Sequence, residues 1–281
     1  MNSTRDTWFI TGASSGFGMA FARHALAQGY NVVATARAPA RLAELAALAP
    51  ERVLVQALDV TAAGDAERAV AAAVARFGRI DVLLNNAGYG IVGAVEETPD
   101  ADFRAQMETN FFGAVGVTKA ALPQLRAQGA GAIVNISSLG GQLSFAGFGA
   151  YSASKFALEG MSEALAQEVA PFGIKVMIVE PGAFRTGFAA DALQHMPELE
   201  AYRDTVGGTR AFAHGMHGTQ EGDPAKAAAA IDAALRAPNT PLRLQLGADA
   251  VTSVRAHAEH MLKELAAWEG AALDTRVVQA T

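Results

Sequence analysis

The 281-residue sequence contains no cysteine. A disulfide framework and a cysteine-ligated zinc site are therefore excluded, and the composition is typical of a protein from a reducing compartment. On that ground we expect a cytoplasmic protein.

Positive charge is also scarce. The chain has 22 lysine and arginine residues against 28 aspartate and glutamate residues, which gives a net charge of −6 and a pI near 5.5. Binding to phosphate backbones requires clustered basic side chains, so nucleic acid is a poor candidate for a partner.

Long hydrophobic runs are missing as well. No segment reaches about 18 residues without a polar interruption. The start, MNSTRDTWFITGASS, lacks the basic stretch and the following apolar stretch of a signal peptide. We therefore expect a soluble protein without a membrane span.

Short apolar runs alternate with longer amphipathic segments along the chain. Seven runs have the composition of buried strands: TWFIT, NVVATA, RVLVQAL, DVLLNN, AIVNIS, KVMIVE and LRLQL. Between them, Thr98-Pro99-Asp100 and Asp223-Pro224 have residue types that begin helices. The alternation predicts an α/β fold with a parallel sheet. No interdomain linker is found, so we expect one domain over residues 1–281.

Residues 183–222 interrupt this alternation with aromatic and apolar residues among glycines. An excursion of this length is typical of a lid or binding loop, so we expect a substrate-binding lobe there. A C-terminal helical extension follows over residues 249–281. Its helix, roughly Asp249 to Trp268, is amphipathic, and we expect it to cover the sheet edge or a subunit contact rather than a membrane.

A glycine-rich turn, TGASSGFG, follows the first strand and leads into a helical segment. Backbone amides and the positive helix end make such a turn an anion site, and glycine lets a pyrophosphate approach the chain. The spacing of Gly12, Gly16 and Gly18 is not the GxGxxG pattern. Glycines at such turns also serve tight bends and close packing, so the turn alone leaves both interpretations open.

The stretch YSASK places Tyr151 and Lys155 four residues apart, and on a helix these positions share one face. A free tyrosine has a pKa near 10. The positive charge of a lysine one turn away favours the phenolate, so we expect Lys155 to lower the pKa of Tyr151. Both side chains can then reach one point, where a chemical site could lie, although chance can also produce this spacing.

Six motifs occur in one order: TGASSGFG, NNAG at 85–88, Asn110, Ser138, YSASK and Pro181-Gly182. With Ser138 thirteen residues before Tyr151, the sequence resembles the short-chain dehydrogenase/reductase family over residues 6 to about 248. The resemblance implies a Rossmann-type, doubly wound parallel sheet of about seven strands with helices on both faces. It also implies an oxidoreductase that forms homodimers or homotetramers through the helices that follow Asn110 and Tyr151. The tail resembles that of steroid-dehydrogenase-like and ketoreductase members.

The resemblance assigns roles to single residues. Tyr151 would act as general acid and base, donating a proton to a carbonyl oxygen during reduction. Ser138, at a strand end, would donate to the developing oxyanion. Asn110 would hold a water between Lys155 and solvent, although an asparagine in a helix can also satisfy a neighbouring backbone group. Asn85 can equally brace the sheet. The implied cofactor-binding residues are Gly12, Ser14, Ser15, Gly16, Phe17, Gly18, Asp59, Val60, Asn86, Ala87, Gly88, Tyr151, Lys155, Pro181, Gly182, Phe184 and Thr186.

The end of the second strand bears on which nicotinamide cofactor is bound. An acidic residue there would accept from a ribose 2′-hydroxyl, but the sequence has Ala36 followed by Arg37. A guanidinium suits the 2′-phosphate of NADP. Ser15 stands where many NADP-using relatives carry a basic residue, so the preference rests on Arg37 alone. NAD(H), with Arg37 as a solvated surface residue, is the alternative.

Three phenylalanines suggest the kind of substrate. Phe145 and Phe148 precede Tyr151, and Phe188 lies in the predicted lobe. They favour a bulky apolar or aromatic substrate, but they can equally pack the lobe onto its own domain. We expect an NADP(H)-dependent oxidoreductase that interconverts a secondary alcohol and a ketone or aldehyde.

Two other functions are weighed against this one. A catalytically silent NADP(H)-binding sensor would not need Tyr151 or Lys155, and a sugar-nucleotide epimerase of the related longer group would need a larger C-terminal domain. The pairs His214/His217 and His257/His260 have spacings that a metal site uses. Neither pair has a convincing set of further ligands, so we expect solvated histidines and no metal.

Overall fold

The computed structural model describes residues 5–277. Nine strands lie in this range: β1 (Thr7–Ile10), β2 (Asn31–Ala36), β3 (Val53–Ala57), β4 (Val82–Asn85), β5 (Gly90–Val92), β6 (Gly131–Ile136), β7 (Ile174–Pro181), β8 (Leu193–His195) and β9 (Arg243–Leu246).

Ten α-helices lie in the same range: α1 (Gly16–Ala27), α2 (Ala43–Leu48), α3 (Asp65–Phe77), α4 (Asp100–Met107), α5 (Gly113–Gln128), α6 (Gly149–Val169), α7 (Phe188–Asp191), α8 (Arg203–Gly215), α9 (Pro224–Arg236) and α10 (Ala248–Leu273). A π-helical turn, Glu108–Phe112, joins α4 to α5.

Seven strands form one parallel sheet in the order β3-β2-β1-β4-β6-β7-β9. They coincide with the seven apolar runs of the sequence, so the predicted Rossmann-type, doubly wound sheet is confirmed. β5 and β8 form a second, two-stranded parallel sheet that the sequence did not predict.

Alternation along the strands divides the core into two layers. In β1, Trp8 and Ile10 pack on one face with Phe21 of α1, while Phe9 packs on the other face with Val117 of α5. All four residues of β1 are buried. A strand covered on both faces reads as a continuous apolar run, which is why the sequence pattern located the sheet.

The two predicted helix starts differ in detail. The Asp223 side chain accepts from the Ala225 amide at 2.8 Å, as expected for a capping residue. Thr98 does not cap α4, which begins at Asp100, because its hydroxyl donates to the Ala94 carbonyl at 3.0 Å. The hydroxyl instead closes the turn before the helix.

Residues 183–222 form a lobe that contains α7, β8 and α8. A buried ion pair fastens this lobe to the segment after β5. Arg210 Nη2 donates to Glu97 Oε2 at 2.6 Å, and Glu97 also accepts from the amides of Ala94 and Leu199. Arg210 Nη1 donates to the Met196 carbonyl at 2.7 Å. The two charges are therefore paired away from water, and Arg210 Nε is left without a hydrogen-bond partner.

The pKa of Glu97 shows the balance of forces on this pair. Burial raises the pKa, but the two backbone amides and Arg210 outweigh burial and hold it below its ordinary value. Glu97 is thus an anion whose compensation depends on Arg210, because the side chain has no exposed surface.

The last helix, α10, leaves the domain after its first turns. Those turns contact β9 and the turn Leu139–Gly141. From Ala258 to Val277 every residue is exposed, so the helix covers the sheet edge only at its start. No helix within residues 5–277 is both long enough and apolar enough to cross a membrane.

We predict that Arg210→Met lowers the free energy of unfolding by about 3 kcal/mol, because it leaves a buried carboxylate without its ion-pair partner. Arg203→Met is the matched control. Arg203 pairs with Glu198 on the surface of the same lobe, so its loss should cost less than about 1 kcal/mol. Equal denaturant midpoints for the two variants would contradict the structural role given to the buried pair.

Candidate active site

The predicted site residues gather at one edge of the large sheet. The glycine turn follows β1, NNAG follows β4, Ser138 follows β6, and Pro181-Gly182 lies at the end of β7. Because these strands are parallel, their carboxyl ends meet at the same edge, where open α/β sheets bind ligands.

The glycine turn has the backbone that its sequence requires. Gly12 and Gly16 have φ values of +63° and +51°, which favour glycine. A Cβ at Gly18 would collide with the Gly12 carbonyl oxygen and lie 2.7 Å from Asn86 Nδ2. Ser15, before the first residue of α1, places no side-chain cap on the helix amides. The turn therefore presents backbone amides at a positive helix end, as an anion site requires.

Thr11 ties this turn to NNAG, a role that sequence reasoning missed. Its Oγ1 accepts from the amides of Asn86 and Ala87 at 2.9 and 3.0 Å. In return, Asn86 Nδ2 donates to the carbonyls of Thr11 and Gly12 at 2.9 and 3.2 Å. Asn86 and Ala87 thus border the cleft, and they also brace it.

Asn85 points the other way, into the protein. Its Nδ2 donates to Thr118 Oγ1 and Asn135 Oδ1 at 2.9 and 2.8 Å, and Asn135 donates to Ser162. The side chain of Asn85 therefore links β4, β6, α5 and α6. Bracing the sheet, the alternative raised from the sequence, is what this residue does.

Ser138 and Tyr151 come together at the end of β6. The Ser138 hydroxyl accepts from the Gly140 amide at 3.0 Å, and a Cβ at Gly140 would lie 3.4 Å from both Ser138 Oγ and the Tyr151 ring. Burial raises the pKa of Tyr151, and a hydrogen bond between the Tyr151 and Ser138 hydroxyls acts to lower it. The net shift is upward, so the phenol is protonated at neutral pH.

The upward shift differs from the sequence expectation that Lys155 lowers the pKa of Tyr151. Lys155 Nζ donates to the Ile136 carbonyl at 2.8 Å and lies 5.7 Å from the centre of the Tyr151 ring. Burial lowers the pKa of Lys155 to about 8, while the charge of Glu159 acts to raise it. Lys155 is therefore an ammonium at neutral pH although only 6% of it is exposed.

Asn110 lies in the π-helical turn between α4 and α5. Its Oδ1 accepts from the Tyr89 amide at 3.1 Å, and its Nδ2 donates to the Tyr89 carbonyl and to Ser154 Oγ at 2.9 and 3.0 Å. A Cβ at Gly88 would lie 3.0 Å from Asn110 Oδ1 and 3.8 Å from Lys155 Nζ. Asn110 thus satisfies backbone groups, and Gly88 adjoins both Asn110 and Lys155.

Arg37 and Asp59 lie at the far end of the site, beside β2 and β3. Arg37 is exposed directly after β2. Hydrogen bonds from Thr61 lower the pKa of Asp59, burial acts against them, and the charge of Arg37 lowers the pKa further. Val60 packs closely against Gly113, the first residue of α5. The two implied adenine neighbours therefore have partners within the protein as well.

The segment after β7 lies beside the glycine turn. A Cβ at Gly16 would lie 3.4 Å from Thr186 Cβ. Phe184 is buried, and its ring centre is 5.1 Å from that of Phe17. The Phe17 and Phe184 side chains therefore pack on each other, which joins α1 to the start of the lobe. Pro181 is buried as well and ends β7.

An open cavity of about 510 Å³ adjoins this junction. Its lining includes Ser15, Gly16 and Thr186, and also two residues that sequence reasoning did not assign to the site, Arg185 and His217. Arg185 Nε donates to the Gln220 carbonyl at 3.0 Å. Only the fold reveals these two, because contacts between the lobe and the glycine turn bring them there.

The three predicted substrate residues separate into two groups. The ring centres of Phe148 and Phe188 lie 6.1 and 6.0 Å from that of Tyr151. Both residues also pack against a small apolar cluster that includes Val92. Phe145 is exposed on the loop before α6. Two phenylalanines therefore flank the phenol and at the same time pack the lobe onto the domain.

The histidines form contacts that their spacing did not indicate. His214 stacks on His195 with ring centres 4.0 Å apart, and His260 lies 3.6 Å from Glu264. Burial, with the charges of His214 and Arg210, lowers the pKa of His195. Residues 5–277 contain no group of three or more histidine, aspartate or glutamate side chains placed to hold a metal ion.

Comparison with known proteins identifies the family. The model of a family described as short chain dehydrogenase matches residues 6–197. Oxidoreductase BOA17 of Botryotinia fuckeliana is 46% identical over 248 residues, which are 87% of this chain and 89% of that protein. The 3-ketodihydrosphingosine reductase of Bacteroides thetaiotaomicron is 49% identical over 179 residues, which are 64% of each chain.

Solved structures lead to the same family. A short-chain dehydrogenase from Streptomyces avermitilis is 51% identical, with a TM-score of 0.91 over 96% of this chain and 100% of that one. ElxO with NADP bound is 27% identical, with a TM-score of 0.73 over 88% and 99% of the two chains. A 3-ketoacyl-(acyl-carrier-protein) reductase from Brucella melitensis complexed with NADH is 28% identical, with a TM-score of 0.72 over 87% and 98%. The chain therefore belongs to the short-chain dehydrogenase family of oxidoreductases.

Proposed function

We propose that the chain is an NADP(H)-dependent oxidoreductase that interconverts a secondary alcohol and a ketone or aldehyde, with Tyr151 as general acid and base. The convergence of Ser138, Tyr151 and Lys155 at the end of β6 carries this proposal. A nicotinamide dinucleotide bound at the adjoining glycine turn supplies or accepts the hydride.

Four polar side chains have separate roles around the reacting carbonyl group. Burial keeps the Tyr151 phenol protonated, so it is ready to donate a proton during reduction. The Ser138 hydroxyl donates to the same oxygen as negative charge develops there. The Lys155 ammonium stabilises the phenolate that proton donation leaves, and it binds ribose hydroxyls. The Asn110 side chain satisfies the backbone of Tyr89. It also adjoins Gly88 on the same side as Lys155, and we propose that it holds a water there between Lys155 and solvent as well.

The dinucleotide is expected to follow the edge of the sheet from Arg37 to Thr186. Uncapped amides at the start of α1 suit its pyrophosphate, and Gly88 leaves the approach to Lys155 open. The cavity beside Ser15 and Gly16 offers the cationic side chain of Arg185 as well. The bound NADP and NADH of two structural relatives support a cofactor of this class.

Arg37 is the basis for choosing NADP(H) over NAD(H). It is exposed at the end of β2, where a ribose 2′-phosphate can reach its guanidinium. Asp59 lies near enough for Arg37 to lower the pKa of the Asp59 carboxyl. That carboxylate competes with a phosphate for Arg37, so some use of NAD(H) is consistent with the same site.

The apolar surroundings of Tyr151 favour a bulky apolar or aromatic substrate. The ring centres of Phe148 and Phe188 lie 6.1 and 6.0 Å from the centre of its ring. One relative is named a 3-ketodihydrosphingosine reductase, which is consistent with reduction of a keto group. Measuring NADPH consumption with a panel of ketones, aldehydes, steroids and acyl thioesters identifies the substrate. Tight NADPH binding without turnover on any of them would favour a silent sensor.

We predict that Tyr151→Phe lowers kcat for carbonyl reduction by about 10²- to 10⁴-fold, because it removes the proton donor. NADPH affinity, measured by fluorescence titration, should stay within about twofold, since the ring and Lys155 remain. Tyr202→Phe is the control, because Tyr202 lies in the lobe and its hydroxyl donates to Glu96 in the segment after β5. Near-normal turnover in Tyr151→Phe would refute the mechanism.

We predict that Arg37→Asp lowers the ratio of kcat/KM with NADPH to kcat/KM with NADH by at least about tenfold, because a carboxylate repels the 2′-phosphate. Arg41→Asp, with the same charge change at another exposed arginine after β2, should leave the ratio within about twofold. An unchanged ratio in Arg37→Asp would show that the NADP preference is assigned wrongly.

A further inference from the structure

Helix α10 projects from the domain as an isolated helix. Only Ala250 is buried among its 26 residues. The part from Ala258 to Leu273 extends about 24 Å with every residue exposed. Large apolar side chains lie on this part, including Leu262 and Leu265 at 64% exposure and Trp268 at 72%. Single helices of this length are marginal in water, and a row of exposed apolar residues marks an interaction surface.

The apolar residues of α10 follow a heptad pattern. Seven of them, which we call the seam, recur at alternating spacings of three and four residues: Val251, Val254, Ala258, Met261, Leu265, Trp268 and Ala272. This period of 3.5 residues is the pattern of a coiled coil, and Leu262 and Leu273 add exposed apolar surface beside the seam. A helix that lies on a sheet or a membrane has a broader apolar face. The pattern therefore points to another helix as the partner.

The seam is complementary to itself when two copies of α10 run antiparallel and cross near Lys263. Met261 then lies opposite Leu265 of the partner subunit. Ala258, the smallest central seam residue, lies opposite Trp268 of the partner subunit, so a small side chain faces a large one twice by symmetry. Alternation of large and small residues across an interface is what close packing of two helices requires.

Charges beside the seam favour the same orientation. In an antiparallel pair the flanking position of Arg255 faces Glu269 of the partner subunit, again twice, and Leu262 faces Leu262 of the partner subunit. Glu264 meets its own copy once. In a parallel pair Glu264 would face Glu269 of the partner subunit twice, with no attraction to offset it. The balance of charge therefore favours the antiparallel arrangement.

We propose that α10 pairs with α10 of a second copy of this chain as an antiparallel two-helix coiled coil. This contact lies apart from α5 and α6, through which the family resemblance implies oligomers. Helix α10 starts where the Asp249 carboxylate accepts from the Ala183 amide at 2.7 Å, next to Pro181-Gly182. The pairing is independent of the proposed reaction, so either can fail without the other.

The first test uses the absence of cysteine from the chain, which removes any background reaction. Leu262→Cys places one thiol beside the two-fold axis, and a short bismaleimide should convert most of that variant into a covalent dimer on a denaturing gel. Lys263→Cys is the matched control, since its equally exposed side chain points away from the seam. Equal yields from the two variants, or no dimer from Leu262→Cys, would overturn the proposal.

The second test exchanges charges. Arg255→Glu and Glu269→Arg should each raise the dissociation constant of the α10 contact by about tenfold, seen as a lower mass in sedimentation. The double variant R255E/E269R should restore the wild-type mass. Unchanged masses in the single variants, or no recovery in the double variant, would overturn the pairing. Circular dichroism checks that all three variants are folded.

The fluorescence emission of Trp268 reports on the surroundings of α10, because the second tryptophan, Trp8, is buried in the core. Diluting the wild-type protein should shift its emission to the red as Trp268 enters water. Emission that is red at every protein concentration, and turns blue only with anionic phospholipid vesicles, would show a membrane partner and overturn the proposal.

Discussion

The hydroxyl of Thr11 holds together the two strand ends on which the site depends. It donates to the Leu84 carbonyl and accepts from the amides of Asn86 and Ala87, while Asn86 returns two hydrogen bonds to the glycine turn. The turns after β1 and β4 therefore behave as one unit. Because Gly18 has no room for a Cβ against this unit, the anion-binding amides and the floor of the cleft keep a fixed separation.

The buried charge of Lys155 is the second constraint, and it links the site to β9 at the edge of the sheet. Burial of an ammonium is costly unless polar groups compensate it, and here the Ile136 carbonyl and the charge of Glu159 do so. Glu159 is itself buried, accepts from Ser137, and pairs with Arg243 on β9. The charge state of Lys155 thus depends on residues that no substrate touches. The pKa of Tyr151 itself is raised by burial, and the hydrogen bond with Ser138 acts to lower it.

The sequence could predict what depends on local pattern. The seven strands were found because a strand buried on both faces is continuously apolar. Ser138, Tyr151 and Lys155 were singled out because their order and spacing resemble those of the short-chain dehydrogenase/reductase family. Thr11, Arg185 and the pairing of β5 with β8 were missed, since each acts through contacts between segments distant in the chain. The roles of the matched residues in binding and catalysis stay predictions, as does cytoplasmic localisation.

Two sets of contacts hold the lobe of residues 183–222 on the domain. The buried Glu97–Arg210 ion pair anchors the lobe, and it stabilises the lobe only while both charged side chains are present. Phe148 and Phe188 flank Tyr151, yet they also pack in the apolar cluster that seats the lobe on the domain. A smaller side chain at either position would both enlarge the space beside the phenol and loosen the packing of the lobe. Phe145 is exposed and takes no part in this packing. The two rings beside Tyr151 are therefore constrained by the packing of the lobe as well as by their place next to the phenol.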